Sequence, residues 1–210
     1  MASRPSYPLI AVLLAALAAI GLITWVAWTL TRPAPRVQVG DVRTVAVAPT
    51  VKIGGPFTLV DQTGKTVSDT TWRGKLMLIY FGYGFCPDVC PTELQIMSGA
   101  LDALGNDAAR VQPIFITVDP ERDTVDFMAD YVSHFHPDMV GLTGTEAAVN
   151  EAAKAFRVYH RKAVDDSATD YLVDHSSFVY LMGPDGDFLT MFNAGTDPRT
   201  MAQTIQSYLK

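Results

Sequence analysis

The sequence predicts an α/β domain behind a single N-terminal transmembrane helix. Two continuous apolar runs, KLMLIYFG at 75–82 and VQPIFITVD at 111–119, read as strands buried on both faces. Between and after them lie segments with apolar residues every three or four positions, the spacing of amphipathic helices. At the front, Leu9–Leu30 is a run of 22 residues without a charge. At a rise of about 1.5 Å per residue, a helix of this length spans a hydrocarbon core of roughly 30 Å.

The front of the chain divides into a short segment at 1–8, the anchor at 9–30 and a tether at 31–55. Trp25 and Trp28 fit the interfacial aromatic belt. A cleaved signal peptide is the rival reading. Its apolar region is normally about 7–15 residues and ends in an A-x-A-like site, whereas this run is longer and leads into TRPAPR. The tether is rich in Pro, Val and Gly, with room for a short strand in VRTVAV. Only eight residues precede the apolar run, too few for an Arg-rich amphipathic transit peptide. A bacterial inner membrane is therefore the expected location, with the acidic domain translocated.

The globular part covers 56–210. FTLVDQTGKTV reads as a hairpin around DQTG. After the first buried run, Leu94, Met97, Leu101 and Leu104 mark a helix; after the second, Val125, Met128, Val132 and Phe135 mark another. TEAAVNEAAKAF is a third helix, capped by Thr145. SSFVYLMGPDGDFLTMF gives two strands joined at Gly183–Gly186. Asp197-Pro198 opens a last helix as N-cap and first helical residue, with Met201, Ile205 and Tyr208 facing inward. The order β-α-β-α-α-β-β-α after the first hairpin fits a thioredoxin-like sheet with extra elements.

Charge narrows the function. Arg4, Arg32 and Arg36 are the only basic residues before position 37, and all 22 acidic residues follow it. Residues 37–210 thus hold 13 basic against 22 acidic side chains, a formal −9. Such a domain repels phosphate backbones, and no basic stripe reverses this, so nucleic acid is not an expected partner.

The two cysteines of the chain, Cys86 and Cys90, stand in FGYGFCPDVCPTEL, where a buried strand gives way to a helix. They admit a structural disulfide, a redox pair or a metal site. A staple closing so small a loop removes little unfolded-state entropy. Pro91 suits the first helical position, which would place Cys90 at a helix N-terminus, where the dipole favours thiolate. Pro87 keeps Cys86 in a loop, and both sulfurs are expected to point outward. Two soft thiolates suit copper(I) or zinc, but zinc normally takes four ligands.

A third ligand is sought among four histidines. His134 and His136, in SHFHP, read as a surface helix end, and His160, in VYHRK, as an exposed residue beside cations. His175, in VDHSSF, precedes a buried strand, where a satisfied core histidine is an equal reading. Met77, Met97, Met128, Met139, Met182 and Met191 fall at core-facing positions without an M-x-x-M cluster, so they read as packing. In VDPERDT, Asp123 or Thr124 is placed to cap a helix, while Asp119, Glu121 and Arg122 offer a charged docking surface. Asp88 either tunes the cysteines or satisfies the loop backbone.

YFGYGFCPDVCPTEL, VDPERDT, FHPDMVGLTGT and DYLVDHSSFVYLMGPDGDF, in this order, resemble the Sco (SenC-type) proteins over roughly residues 55–210. The resemblance implies a thioredoxin-like domain facing the periplasm or the mitochondrial intermembrane space. It implies copper binding by Cys86, Cys90 and His175, and a role in building the dinuclear copper centre of cytochrome c oxidase. The copper-bearing subunit of the oxidase is then the expected partner, with another copper chaperone or a thiol reductant as a further one. One departure stands out: the family often carries Thr-His where this chain has Gly84-Phe85. The competing reading is a thiol:disulfide oxidoreductase that keeps the oxidase's copper-ligand cysteines reduced. Its spacing is C-x-x-x-C rather than the C-x-x-C of thioredoxins. A peroxidase and a copper or redox sensor are the remaining alternatives.

Overall fold

The computed structural model describes Trp25, residues 52–163 and residues 171–210. The span expected at 9–30 lies outside these residues except for Trp25, as does most of the tether with its VRTVAV segment. Among the described residues no helix is long and apolar enough to cross a membrane.

Strands β1 (Thr58–Asp61) and β2 (Thr66–Ser68) form the expected hairpin, with Thr58 opposite Ser68. Its turn closes because the Asp61 carboxylate accepts from the N–H groups of Thr63, at 2.8 Å, and Lys65, at 3.1 Å. Strand β3 (Leu76–Gly82) is followed by helix α1 (Val89–Leu104), a 3₁₀ turn (Gly105–Arg110) and strand β4 (Val111–Thr117). β3 and β4 pair in parallel, from Leu76 opposite Val111 to Gly82 opposite Thr117, and every residue of both is buried. That burial on both faces is what the unbroken apolar runs predict.

Helix α2 (Val125–Ser133), strand β5 (Val140–Thr143) and helix α3 (Glu146–Ala155) come next. Thr124 and Thr145 cap the two helices, their hydroxyls accepting from the N–H groups of Phe127 and Ala148. Strands β6 (His160–Ala163) and β7 (Leu172–His175) make a separate antiparallel pair. The chain then returns to the main sheet through β8 (Phe178–Met182) and β9 (Phe188–Asn193) and ends in helix α4 (Pro198–Tyr208). Asp197 caps α4 by accepting from the N–H groups of Arg199 and Thr200, with Pro198 at its start. The seven-stranded sheet has the order β2-β1-β5-β4-β3-β8-β9. β4 and β5 are parallel, while β8 runs antiparallel to β3.

Three expectations are corrected, and one residue is added. β5, β6 and β7 are absent from the predicted order. β5 is only four residues long, and β6 reads HRKA, which has no apolar period and becomes a strand only by pairing with β7. Helix α1 begins at Val89, two residues before Pro91; Pro91 still falls in the first turn, where its missing N–H breaks no bond. Tyr208 is 40% exposed, whereas Met201 and Ile205 are buried as expected, together with Ala202 and Leu209. Glu93, unremarkable in sequence, is buried on α1 and accepts from the Gly195 N–H at 2.6 Å, joining the helix to the β9–α4 turn.

Gly82, the last residue of β3, is required by close approach. A Cβ there would lie 2.8 Å from Cys90 Sγ and 2.9 Å from the Tyr80 ring. Gly82→Ala should therefore destabilise the domain by about 1–3 kcal/mol through overpacking. The check is a lowered urea midpoint with unchanged denaturant slope.

Candidate metal centre

Cys86 lies in the loop between β3 and α1, its N–H donating to the Tyr83 carbonyl at 3.3 Å. Cys90 is the second residue of α1 and is fully buried. Because the helix starts at Val89, one of its unpaired first-turn N–H groups belongs to Cys90 itself, and it donates to Cys86 Sγ at 3.4 Å. The sulfurs therefore face inward, with Cys86 only 9% exposed, and the roles expected of the two cysteines are exchanged. The Cys86 thiol is lowered to about 5, first by the hydrogen bond from the Cys90 thiol, then by the backbone N–H groups of Asp88 and Cys90 and by His175. Cys90, which holds that proton and is buried, is pushed far up. Asp88 serves the site through its backbone, and its carboxylate makes no capping hydrogen bond.

His175 ends β7, with Nε2 3.3 Å from Cys90 Sγ. Its Nδ1 is 3.1 Å from the Ser176 carbonyl, so Nδ1–H donates there and Nε2 is the nitrogen turned toward the sulfurs. Both sulfurs and a ring nitrogen of His175 lie within 4.8 Å of one another, the only such group of three among the described residues. Tyr80 and Tyr83 meet the imidazole edge-on at 6.1 and 5.8 Å, and the Tyr80 hydroxyl donates to Cys90 Sγ at 3.8 Å. Neither tyrosine was singled out in sequence; the signal was the period-two spacing of Tyr80 and Gly82 ahead of the cysteines.

The other histidines are elsewhere. His134 caps the C-terminus of α2 with Nδ1 2.8 Å from the Asp130 carbonyl, and His136 Nδ1 accepts from the Asp138 N–H. His160 is half-buried rather than exposed: it stands opposite His175 in the β6–β7 ladder, and burial followed by the His175 charge lowers its pKa. Met77, Met97, Met128, Met139 and Met182 are core residues, and Met191 packs against them.

VDPERDT is mostly internal. Asp119 is buried, accepting from Arg122 Nε at 2.5 Å and from the Tyr171 hydroxyl at 2.8 Å. Arg122 also donates to the Tyr171 carbonyl at 3.0 Å. Together they clamp the hairpin that carries His175 to the end of β4. Asp119 is thus no docking residue; Glu121 is exposed and pairs with Lys162. Asp123, also buried, accepts from the Thr117 hydroxyl at 2.5 Å and from the Gly84 N–H at 2.9 Å, pinning the cysteine loop. Burial raises its carboxyl to about 6.

A metal-free preparation should develop one thiolate with a midpoint near pH 5, followed by ultraviolet absorbance, while the second thiol stays protonated beyond the ordinary thiol range. Cys90→Ala should move the Cys86 midpoint upward. Because the folded-state pKa lies below the unfolded one, the Cys86 thiolate stabilises the metal-free fold at alkaline pH, and this is lost as the pH falls through about 5. Cys86→Ser should flatten that slope in urea unfolding measured against pH.

The sequence model of the SCO1/SenC family matches residues 45–210. Protein sco1 of Schizosaccharomyces pombe is 46% identical over 160 residues, which cover 75% of this chain and 61% of that protein. The chain thus spans about three fifths of that relative's length. Among solved structures, Bradyrhizobium japonicum ScoI with copper bound is 47% identical, with 74% of this chain and 99% of that one covered and a TM-score of 0.69. Arabidopsis thaliana ScoI with copper bound is 39% identical, covering 75% and 98%, with a TM-score of 0.71. With the whole described domain inside the matched region, and both its cysteines and His175 converging there, the chain belongs to the SCO1/SenC family.

Proposed function

We propose that this chain is a membrane-anchored copper chaperone that holds copper between Cys86 Sγ, Cys90 Sγ and His175 Nε2. The observation that carries the reading is the donor set: two sulfurs and one imidazole nitrogen within 4.8 Å, with no fourth Cys, His, Asp or Glu joining them among the described residues. Copper(I) is satisfied by such a soft, three-membered set, whereas structural zinc takes four ligands. The copper-bound structures of similar proteins support the same reading. Two thiolates with copper(I) leave a net −1, which copper(II) neutralises.

Copper is cargo here, so the ligands must release it as well as hold it. Cys86, its thiol lowered to about 5, receives the metal first; as copper(I) then bonds to Cys90 Sγ, the Cys90 S–H breaks and its proton is released to solvent. His175 is oriented for the task, its Nδ1 held by the Ser176 carbonyl and its Nε2 3.3 Å from Cys90 Sγ. In this reading the run at 9–30 anchors the domain to a bacterial inner membrane, the domain stands in the periplasm, and the recipient is the copper-bearing subunit of cytochrome c oxidase, whose dinuclear centre is being assembled. Tethering raises the effective concentration of the domain near a membrane-embedded recipient.

The activated Cys86 thiolate beside a protonated Cys90 also supports a thiol:disulfide oxidoreductase acting on the oxidase's copper-ligand cysteines. Copper(I) titration of the full chain in detergent, against a competing chelator, separates the two. Wild type should bind one equivalent; Cys86→Ser should lose it, and His175→Ala should weaken it by about tenfold or more, ~1.4 kcal/mol. Absence of binding together with turnover of a disulfide substrate would put the oxidoreductase first.

A further inference from the structure

Three of the four histidines have a ring nitrogen engaged by backbone: His134, His136 and His175. His160 is the exception. Among the described residues neither of its ring nitrogens has a hydrogen-bond or ion-pair partner. Its place in the β6–β7 ladder is directly opposite His175. One step further along, the Ser176 N–H donates to the Tyr159 carbonyl at 2.9 Å, so Tyr159 and Ser176 are a hydrogen-bonded pair. Hydrogen-bonded and non-hydrogen-bonded pairs alternate along an antiparallel ladder, which makes His160 and His175 a pair of the second kind. In such pairs the Cα atoms are about 4.5 Å apart and the side chains of one face approach most closely.

Alternation puts His160, Lys162, Val173 and His175 on one face of the ribbon and Arg161, Leu172 and Asp174 on the other. Val173 is buried, so the histidine face is turned toward the body of the domain. Asp174, although next to His175 in sequence, pairs with Arg161 on the far face. Beside His160 lies a cavity of about 540 Å³, bounded by the ribbon, the start of α3 and the stretch 118–121. The imidazole is therefore not wedged in place. In the structure it stands outside the group formed by Cys86, Cys90 and His175.

We propose that His160 is a fourth ligand, which joins Cys86, Cys90 and His175 when the ion is copper(II) and stands aside for copper(I). The inference rests on the copper-binding reading above and extends it to the oxidation state of the ion. Copper(I) is satisfied by three soft donors, whereas copper(II) favours a tetragonal set that includes nitrogen or oxygen. Two thiolates and His175 leave that set one donor short. His160 is the only other His, Cys, Asp or Glu on the ribbon face that carries His175. As a cross-strand neighbour it reaches the ion by side-chain rotation, with the strands unmoved. An imidazole also adds a donor without adding charge, so the copper(II) site stays neutral, where a carboxylate would return it to −1.

The test loads the full, reduced chain in detergent with one equivalent of copper(I) or of copper(II). The copper(II) samples are frozen immediately after mixing, before the thiolates are oxidised. Electron paramagnetic resonance of wild type should show coupling to two nitrogen nuclei, His160→Ala to one, and added imidazole should restore the second. His160→Ala should weaken copper(II) binding by about tenfold and leave copper(I) affinity within about twofold, raising the copper potential by about 59 mV. His136→Ala, which removes a histidine from the α2–β5 connection, should change neither. A single nitrogen coupling in wild type, or an unchanged spectrum in His160→Ala, would overturn the proposal. So would an equal loss of affinity for both ions, which would place His160 in the packing of the ribbon. A wild-type chain that binds neither ion defeats the copper reading itself.

Discussion

Strand β3 is the constraint on which the rest of the molecule is built. It is hydrogen-bonded in parallel to β4 on one side and antiparallel to β8 on the other, and all seven of its residues are buried. Its register fixes two positions that matter for chemistry. Tyr80 and Gly82 share one face, and there the Tyr80 hydroxyl reaches Cys90 Sγ while the missing side chain of Gly82 leaves the sulfur its space. The start of α1 follows within seven residues, so the first free N–H groups of that helix fall beside Cys86 rather than beside solvent.

Around this frame each ligand is held by a different device. Cys90 is fixed by the helix itself. The loop before Cys86 is pinned by Asp123, which reaches across from the segment after β4 to the Gly84 N–H. His175 sits on a two-stranded hairpin outside the main sheet, and the Asp119–Arg122–Tyr171 cluster fastens that hairpin to the body. Two of the three ligands are thus positioned by one short stretch, 119–123, that contains none of them. Such supporting groups orient ligands and tune their basicity.

The electrostatics follow from one shared proton. With Cys90 buried and its thiol hydrogen-bonded to Cys86, the pair holds a single charge, located on the sulfur that also receives backbone N–H groups. A soft cation can replace that proton, and the neighbouring imidazole turns its Nε2 toward the same site.

Much of this was legible in the sequence, because its signals are local. The apolar runs gave β3 and β4; Thr145 and Asp197-Pro198 gave helix starts; Cys86 and Cys90 stood where a buried strand meets a helix. Thr124 was one of two candidate caps, and the structure chose it, freeing Asp123 for the cysteine loop. What the sequence could not decide were long-range matters. HRKA is a strand only because β7 lies beside it, and Glu93 and Asp119 are buried only because Gly195, Arg122 and Tyr171 arrive from far along the chain. Which cysteine is the thiolate turned first on the Cys90 thiol donating to Cys86, and then on the backbone N–H groups of Asp88 and Cys90 that a helix starting at Val89 rather than Pro91 leaves beside that sulfur. Residue type and spacing determined that two thiols and an imidazole were available; only tertiary packing, which sets burial and hydrogen-bond partners, decided that they meet and which one carries the charge.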